Sequence, residues 1–192
     1  QSNEAWFAHI PGLRIVYPSN PYDAKGLLLT AFEDPNPVMV FEHKALYRST
    51  TEEVPVGYYN LPFGQAKLVT EGTQLSIITY GMGVHWAKNL VEEKGISADV
   101  LDLRTLVPLD WDSVFKSAKK TGKVIVLHED TLFGGIGGEL ASEIAEHCFE
   151  YLDAPVKRVA SLDTAVPFHP DLETNFLPQL RLEKVVEELL AY

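Results

Sequence analysis

The chain has 192 residues, of which 46% are hydrophobic and 22% are charged, and its 27 acidic and 16 basic side chains give a formal net charge of −11. This composition is typical of a globular protein and excludes a disordered chain, which would hold fewer apolar residues. The acidic balance argues against nucleic-acid binding, which needs a basic surface. No apolar run approaches the roughly 18 residues that span a bilayer, so we expect neither a nucleic acid nor a membrane as partner.

The single cysteine, Cys148, cannot form an internal disulfide or a cysteine-based zinc site, which suits a reducing compartment. The chain has no initiator methionine and opens on residues 1–9 (QSNEAWFAH) as though inside a helix. Nothing there resembles a signal or transit peptide. We therefore expect the sequence to be a fragment of a longer protein.

The first elements in chain order form a strand–helix–strand unit. Residues 13–18 are a short apolar run closed by a proline, which predicts a strand. Ser19 or Asn20 then caps a helix that Pro21 begins and that continues to residue 32. The sequence DPNP at 34–37 stops the helix, because proline cannot continue its hydrogen-bond ladder. Residues 38–41 (VMVF) predict a second buried strand.

A different composition follows, from about residue 44 to residue 65. This stretch holds two prolines, two glycines and three tyrosines, and it shows little periodicity. A segment of this length without evident structure is either functional or a linker. We interpret 49–66 as an interdomain linker whose aromatic residues pack against the domains on either side.

Strands and helices alternate again from about residue 67. Strands are predicted at 75–80, 98–103, 123–128 and 156–161, and helices at 82–93, 111–120, 139–151 and 182–191. Such alternation with β-branched strands predicts an α/β fold, a three-layer α/β/α domain with a mainly parallel sheet. We therefore divide the chain into a first domain at 1–48, the linker at 49–66 and a second domain at 67–192.

Five residues, GGIGG at 134–138, form a glycine-rich turn between a strand that ends at His128 and a helix that begins near Glu139. Such a turn can hold an anion on its backbone N–H groups. The dinucleotide fingerprint fails because Leu140 occupies its last position, and no Walker motif follows. Glu139 would also repel a phosphate. A tight turn with close helix–sheet packing is the favoured interpretation.

Polar side chains gather at the predicted strand ends, where open parallel sheets usually bind ligands. They are Asp102, Arg104, His128, Glu129, Asp130, Ser161 and Asp163. These residues predict either a binding crevice or helix caps and an Asp–Arg ion pair, and no nucleophile–base pair decides between the two. The six histidines are scattered and show no metal-ligand spacing.

Four glutamates at 139, 143, 146 and 150 step by four, three and four residues, which places them on one helix face. This is usually a solvated face. It could also dock a basic partner, since 12 basic and 20 acidic residues from position 65 onward carry −8 of the −11 charge.

Beyond these patterns, the chain strongly resembles the beta subunit of thiamine diphosphate-dependent 2-oxo acid dehydrogenase decarboxylating components. The resemblance covers the whole chain in order, and its motifs are specific as a set. They are PGLRIVYP at 11–18, DAKGLL at 23–28, EDPNPV at 33–38, FEHKALYR at 41–48, DLRTLVPLD at 102–110, LDAPVKRV at 152–159 and DTAVPF at 163–168.

This resemblance implies the end of a pyrimidine-binding domain, a linker and a whole transketolase C-terminal-like domain, from a beta subunit or from the second half of a fused alpha–beta chain. The enzyme would decarboxylate a 2-oxo acid, with branched-chain 2-oxoisovalerate favoured over pyruvate, and would acylate a lipoyl domain. In the family, a catalytic histidine precedes Gln1, the cofactor-activating glutamate lies further upstream, and the alpha part holds the diphosphate and its magnesium. We therefore expect no catalytic or cofactor-binding residues in this chain, and no activity from it alone.

The resemblance also implies a partial potassium site at Ala31, Asp34 and Asn36. Carbonyl and amide oxygens at a helix C-terminus suit such a cation, since the carbonyls there lack partners and the helix dipole is negative. A proline-bounded turn in which Asn36 satisfies backbone groups is an equally good interpretation.

The expected partners are the alpha subunit or alpha half, a second beta subunit and a lipoyl acyltransferase core, whose basic binding domain would meet the acidic second domain. The expected location is the bacterial cytoplasm or the mitochondrial matrix. Two alternatives stay open. One is the corresponding part of a transketolase or deoxyxylulose phosphate synthase, and the other is a non-enzymatic α/β interaction module.

Overall fold

The computed structural model describes residues 2–192. Five elements come before the linker. They are α1 (Glu4–Ala8), β1 (Arg14–Val16), α2 (Pro21–Glu33), β2 (Val38–Val40) and α3 (Leu46–Ser49). The predicted strand–helix–strand unit is confirmed by β1, α2 and β2. Asn20 caps α2 by accepting a hydrogen bond from the backbone N–H of Asp23 at 2.8 Å.

The remaining elements follow the linker. They are β3 (Lys67–Thr70), β4 (Leu75–Thr79), α4 (Met82–Lys94), β5 (Ala98–Asp102), β6 (Thr105–Val107), α5 (Trp111–Thr121), β7 (Val124–Thr131), α6 (Gly137–Cys148), β8 (Lys157–Ser161), α7 (Pro170–Phe176) and α8 (Gln179–Leu190). A 3₁₀ turn at Phe149–Tyr151 extends α6. All of the predicted strands and helices in this part are present, whereas β3, β6 and α7, like α3 before them, are additional.

The larger sheet has the strand order β3-β5-β4-β7-β8. Strands β5, β4, β7 and β8 run parallel, and only the edge strand β3 is antiparallel. The predicted mainly parallel sheet is thus confirmed.

Helices cover both faces of this sheet, because alternate residues of its strands point to opposite sides. On one face, Ile78 and Val126 pack with α5 and α6 around Val114 and Ile144. On the other face, strand residues pack with α4 and α8 in a second cluster that includes Ile77, Ile125, Trp86 and Leu182. The three-layer α/β/α prediction is confirmed.

The smaller sheet has the order β2-β1-β6 and joins the two predicted domains. β1 and β2 are parallel, and β6, which follows β5 directly, pairs antiparallel with β1 through Ile15 and Val107. A strand of the predicted second domain therefore completes the sheet of the first. Ile15 and Tyr17 belong to the same buried cluster as the α5–α6 face of the larger sheet.

The segment between α3 and β3 packs along α2, so its aromatic residues contact the first of the two predicted domains. The ring of Tyr59 stacks on Tyr22 with centroids 4.7 Å apart, and its hydroxyl donates to the Tyr22 carbonyl at 2.8 Å. Lys25 Nζ donates to the carbonyl oxygen of Gly57 at 2.9 Å and lies 4.9 Å from the Tyr59 ring centroid. The linker is thus held against α2 by contacts of Lys25 with the Gly57 carbonyl and with the Tyr59 ring.

None of the helices in the described residues has the length and apolar character that crossing a membrane requires.

Candidate functional site

The carboxyl ends of the two sheets face one another. Tyr17 directly follows β1 and Tyr80 directly follows β4, and the centroids of their rings are 5.3 Å apart. Ser19, two residues further along from Tyr17, contacts Asp102 at the end of β5. Ligands of parallel sheets usually bind at this edge, so the junction between the sheets is the candidate functional site.

Asp102 lies at the base of this junction and is fully buried. Its Oδ2 accepts a hydrogen bond from Ser19 Oγ at 2.5 Å, and its Oδ1 accepts one from the backbone N–H of Arg104 at 2.9 Å. Burial raises the pKa of Asp102 to about 6, because the loss of water outweighs these two hydrogen bonds. The carboxyl group therefore fixes the chain after β1 against the end of β5.

The guanidinium of Arg104 holds Asp23 in a bidentate ion pair. Its Nε donates to Asp23 Oδ2 at 2.9 Å and its Nη2 to Oδ1 at 2.6 Å, and Asp23 is fully buried. Arg104 adopts a left-handed conformation with φ of 58°. The predicted Asp–Arg ion pair exists, but its acid is Asp23 on α2 and not Asp102. The contact between Arg104 and Asp102 is made by the backbone N–H of Arg104 and not by its guanidinium.

Glu4 anchors α1 to the same junction. Its Oε1 accepts a hydrogen bond from the hydroxyl of Tyr80 at 2.6 Å, and its side chain is fully buried. Its Oε2 has no hydrogen-bond partner in the described part of the chain. Burial, reinforced by the nearby charges of Asp130 and Glu129, raises the pKa of Glu4. Burial also raises the pKa of Tyr80 well above its ordinary value.

His43 and Glu129 form a third link between the sheets. His43 Nε2 lies 2.6 Å from Glu129 Oε2, and each side chain is 18% exposed. Ser161 Oγ donates to the backbone carbonyl of Glu129 at 2.5 Å. The structure thus brings together Glu129 and Ser161 of the predicted strand-end group. Asp163 accepts a hydrogen bond from a different residue, the Phe133 N–H, at 2.7 Å.

The glycine-rich turn packs directly on His128, as the close-packing interpretation predicted. A Cβ at Gly135 would lie 2.6 Å from His128 Cε1, and a Cβ at Gly137 would lie 2.3 Å from Nε2. His128 is fully buried, and neither of its ring nitrogens makes a hydrogen bond of good geometry in the described residues, although the Asp130 backbone lies close enough to oppose part of the effect of burial. Burial lowers the pKa of His128 to about 4, so its imidazole is neutral at physiological pH.

The three residues of the predicted potassium site lie together at the end of α2. The Ala31 carbonyl lacks an intrahelical partner because the residue four positions on is Pro35, which has no N–H. Asp34 Oδ1 accepts the backbone N–H and the side-chain Nδ2 of Asn36, each at 2.9 Å, and these hydrogen bonds lower the pKa of Asp34. Arg14 Nε lies 3.1 Å from Asp34 Oδ2.

This turn therefore offers the free Ala31 carbonyl and a carboxylate that already has partners. Arg14, whose Nε lies 3.1 Å from Asp34 Oδ2, competes with a cation for the negative charge of this carboxylate. The potassium site stays a prediction.

Sequence reasoning missed several residues of the junction. Glu4, Ser19, Asp23, His43 and Tyr80 were not among the candidate site residues, since each acts through a partner that is distant in the chain. The separation between hydrogen-bonded residues is 76 positions for Glu4 and Tyr80, and 86 positions for His43 and Glu129. Spacing within a segment could not reveal such pairs.

Two cavities border the junction. One, of about 340 Å³, is lined by Ser2, Asn3, Glu129, Asp130 and the loop around Phe168. The other, of about 290 Å³, lies between the start of α2 and α3. The described residues contain no group of three or more His, Cys, Asp or Glu side chains placed to hold a metal ion. The contacts of the junction join the two sheets.

Comparison with known proteins identifies the class. The family model described as "Transketolase, C-terminal domain" matches residues 64–181, and that of "Transketolase, pyrimidine binding domain" matches residues 1–50. A solved structure described as "Split gene transketolase, inactive beta4 tetramer" aligns with a TM-score of 0.75 at 25% identity, over 97% of this chain and 60% of that one. The chain belongs to the transketolase C-terminal domain family.

Within that class, the relatives confirm the resemblance found in the sequence. The 2-oxoisovalerate dehydrogenase subunit beta of Bacillus subtilis is 48% identical over 100% of this chain and 60% of its own length. A mitochondrial 2-oxoisovalerate dehydrogenase subunit beta of Dictyostelium discoideum is 45% identical over 92% of this chain and 50% of its length. The pyruvate dehydrogenase E1 component subunit beta of Bacillus subtilis is 47% identical over 92% of this chain and 55% of its length. The chain thus spans about half to three-fifths of these relatives.

Proposed function

We propose that this chain is the carboxyl-terminal part of the beta portion of a thiamine diphosphate-dependent 2-oxo acid dehydrogenase. The whole enzyme would decarboxylate a 2-oxo acid and pass the acyl group to a lipoyl domain. The observation that carries the proposal is the 48% identity, over the full chain, to a 2-oxoisovalerate dehydrogenase beta subunit. We favour 2-oxoisovalerate as substrate, and the pyruvate alternative has support from a relative at 47% identity.

The cofactor would be held by parts of the enzyme outside these 192 residues. A magnesium diphosphate needs several oxygen ligands close together. The described residues offer no cluster of three acidic or histidine side chains placed for a metal, and Glu139 lies at the turn whose N–H groups could meet a phosphate. The residues present do not fit the magnesium diphosphate, and no step through it is assigned to them. The role that we propose for this chain is structural, in subunit assembly and partner docking, with its two sheets held in one relative position.

The junction supports that role. The Ser19–Asp102 hydrogen bond and the Asp23–Arg104 ion pair both join the first strand–helix unit to the segment between β5 and β6. A buried charge pair that loses one partner costs about 3–5 kcal/mol, so these links are well suited to fixing one relative position of the two sheets. We also propose the division into 1–48, 49–66 and 67–192, with the matches to 1–50 and 64–181 in support.

Partner docking is the second part of the proposal. The partners would be an alpha subunit or alpha half, a second beta subunit and a lipoyl acyltransferase core. Glu139 and Glu146 are exposed on α6, Glu150 is exposed on the 3₁₀ turn that follows it and Glu143 is half-buried, so the acidic face is available to a basic domain. The partial potassium site at Ala31, Asp34 and Asn36, and a location in the bacterial cytoplasm or mitochondrial matrix, belong to the same proposal.

The decisive experiment compares the full beta subunit, combined with the alpha part and thiamine diphosphate, with this chain alone in the presence of thiamine diphosphate. We expect 2-oxoisovalerate decarboxylation from the full assembly and none from the 192 residues alone. A full assembly that turns over pyruvate at least about tenfold faster than 2-oxoisovalerate would assign the substrate to the pyruvate alternative. Decarboxylation by the isolated chain would refute the proposal that the catalytic and cofactor-binding residues lie outside these 192 residues.

Docking has its own test. A lipoyl acyltransferase core on beads should retain the assembled enzyme at low salt and release it as salt rises, since exposed charges are screened within about 10 Å at 0.1 M. Replacing the four glutamates of α6 and its 3₁₀ extension with glutamines should abolish retention. Retention that survives this change would place docking elsewhere on the molecule.

A further inference from the structure

Two buried carboxyl groups share one arginine at the junction between the sheets. Asp23 and Asp102 are both fully buried. The guanidinium of Arg104 pairs with Asp23 alone, and its Nε and Nη2 lie 2.9 and 2.6 Å from the two oxygens of that carboxylate. Asp102 receives only the backbone N–H of Arg104, at 2.9 Å. One buried positive charge thus faces two buried acids, and Asp102 is the acid that has no cation of its own.

The other neighbours of Asp102 do not supply the missing positive charge. Ser19 Oγ, 2.5 Å from Asp102 Oδ2, is neutral, and so is Thr79 on the adjacent strand β4. Lys67 lies opposite Asp102 on β3 but forms no ion pair with it in the described part of the chain. From α4, His85 Nε2 contacts the backbone carbonyl of Ser19 at 2.7 Å. A carboxyl group buried in this way binds a proton more readily than one in water.

Asp102 also lies where its charge affects how the sheets are joined. Its hydrogen bond to Ser19 spans 83 positions of the chain. Beside it, the Tyr17 N–H donates to the carbonyl oxygen of Arg104 at 2.8 Å. These contacts hold the end of β1 and the start of α2 against the segment between β5 and β6, and separating them would expose Asp102 to water. Opening of the junction and proton binding by Asp102 are therefore linked.

We propose that the junction is a pH-sensitive switch, in which a proton on Asp102 keeps β1 and α2 against β5 and β6, and ionisation of Asp102 makes the junction open more often. The inference rests on the role proposed above for the junction, which is to hold the two sheets in one relative position.

The sign and the size of the effect follow from the burial of Asp102. Its pKa is raised from 3.8 to about 6 in the closed junction, so the stabilisation is complete below pH 3.8 and is lost as pH rises through 6. In the open junction the carboxyl group returns to its ordinary pKa. The equilibrium constant for opening should then be about tenfold larger at pH 7.5 than at pH 5.

Hydrogen–deuterium exchange on the full beta subunit, assembled with its alpha part, measures this opening. The protection factor of the peptide that contains the Tyr17 N–H, corrected for the intrinsic exchange rate at each pH, should fall about tenfold from pH 5 to pH 7.5. In Asp102→Asn, which has no carboxyl group to ionise at this position, this fall should be absent. The difference between the two proteins separates Asp102 from the other titratable links of the junction, Glu4 and the pair of His43 with Glu129. An equal fall in Asp102→Asn would overturn the proposal.

Two further variants check the assignment. The hydrogen bond from Ser19 lowers the pKa of Asp102, so Ser19→Ala should move the fall in protection to higher pH, and a fall at unchanged or lower pH would count against the switch. Asp163→Asn is the matched control. It removes the same charge from an exposed residue after β8 that makes no contact across the junction, and it should leave the pH dependence at Tyr17 unchanged. A loss of pH dependence in this control equal to that in Asp102→Asn would also overturn the proposal.

Exchange in the larger sheet distinguishes a switch from general unfolding. Peptides of β7, in the interior of that sheet, should be better protected than the Tyr17 peptide at each pH, because opening of the junction leaves β7 paired. Equal protection of the two at every pH would mean that the junction opens only when the whole protein unfolds, and the switch would be refuted. The readout needs no turnover, so a failed switch leaves the enzyme assignment intact, and failure to decarboxylate a 2-oxo acid leaves the exchange result interpretable.

Discussion

The contact between Gly137 and His128 gives the sharpest test of how α6 sits on the sheet. A Cβ at Gly137 would lie 2.3 Å from His128 Nε2 and 2.5 Å from Cδ2, about 1 Å closer than ordinary van der Waals contact. His128 is fully buried on a strand with neighbours on both sides, so the ring cannot move away without disturbing the sheet. Overpacking of this kind costs about 1–3 kcal/mol.

The same substitution brings a smaller opposing gain. Alanine favours a helix over glycine by up to about 1 kcal/mol. We therefore expect Gly137→Ala to lower the free energy of unfolding by about 1–2 kcal/mol. Urea unfolding followed by circular dichroism measures this change, with the slope against urea held common to all variants.

Two further variants separate the packing clash from a general effect of alanine. Gly57→Ala is the control, because nothing lies within 4 Å of a Cβ there, and it should change the free energy of unfolding by less than about 0.5 kcal/mol. In the double variant His128→Ala/Gly137→Ala the new methyl group enters space that the ring has left. The loss of unfolding free energy in the double variant should therefore be about 1 kcal/mol smaller than the sum of the losses in the two single variants. Additive costs, or a Gly137→Ala cost equal to that of Gly57→Ala, would refute the reasoning.

Four further changes test the junction and the linker. Asp102→Asn should raise the free energy of unfolding at pH 7.5 by about 1–3 kcal/mol. The protonated Asp102 carboxyl stabilises the folded state fully below pH 3.8, and this contribution is lost as pH rises through the folded-state pKa of about 6. If the variant's stability changed with pH between 4 and 6 as much as that of the unmodified protein, this assignment would be contradicted. His128→Leu should lower the pH at the midpoint of acid unfolding. The neutral His128 imidazole stabilises the folded state above its ordinary pKa of 6.5, and this contribution is lost as pH falls towards the folded-state pKa of about 4. An unchanged midpoint pH would argue that the imidazole is solvated. Arg104→Gln should cost about 3–5 kcal/mol by leaving Asp23 buried and charged, and adding Asp23→Asn should recover at least about half of that loss; no recovery would exclude the ion pair as the cause. Lys25→Met should speed proteolytic cleavage in the linker by about threefold, measured as the rate of the first cut, and equal rates would show that the lysine does not hold the linker.

Most of the α/β core followed from local pattern. The strand at 75–79 is buried at every position, and its apolar, β-branched sequence predicted this directly. The end of α2 was also readable, because prolines at 35 and 37 forbid further helical hydrogen bonds. Such signals lie within a few residues of the structure that they determine.

The elements that the sequence did not predict depend on distant partners. β6 has three residues and becomes a strand by pairing with β1, about 90 positions earlier. β3 is an antiparallel edge strand that is only half-buried, so it lacks a continuous apolar run. A short segment of this kind has no periodicity of its own to detect.

The predicted site residues divide in the same way. Asp102 and Glu129 were identified from their positions at strand ends, because parallel strands bring their carboxyl ends to one edge. Their partners Ser19 and His43 were missed, and the acid that pairs with Arg104 was found on α2 and not in the neighbouring strand. Side-chain pairing across the junction depends on the relative position of two sheets, which no local pattern encodes.

The sequence by itself therefore determined the family, the order of strands and helices, and the acidic surface of α6, since each of these is a property of short segments or of matched motifs. Only the tertiary structure decided that a strand of the second unit completes the sheet of the first, that Asp23 and not Asp102 neutralises Arg104, and that the glycine-rich turn closes over a buried imidazole. The physical reason is that these contacts arise when apolar faces are buried together, and that burial brings into contact residues that lie tens of positions apart in the chain.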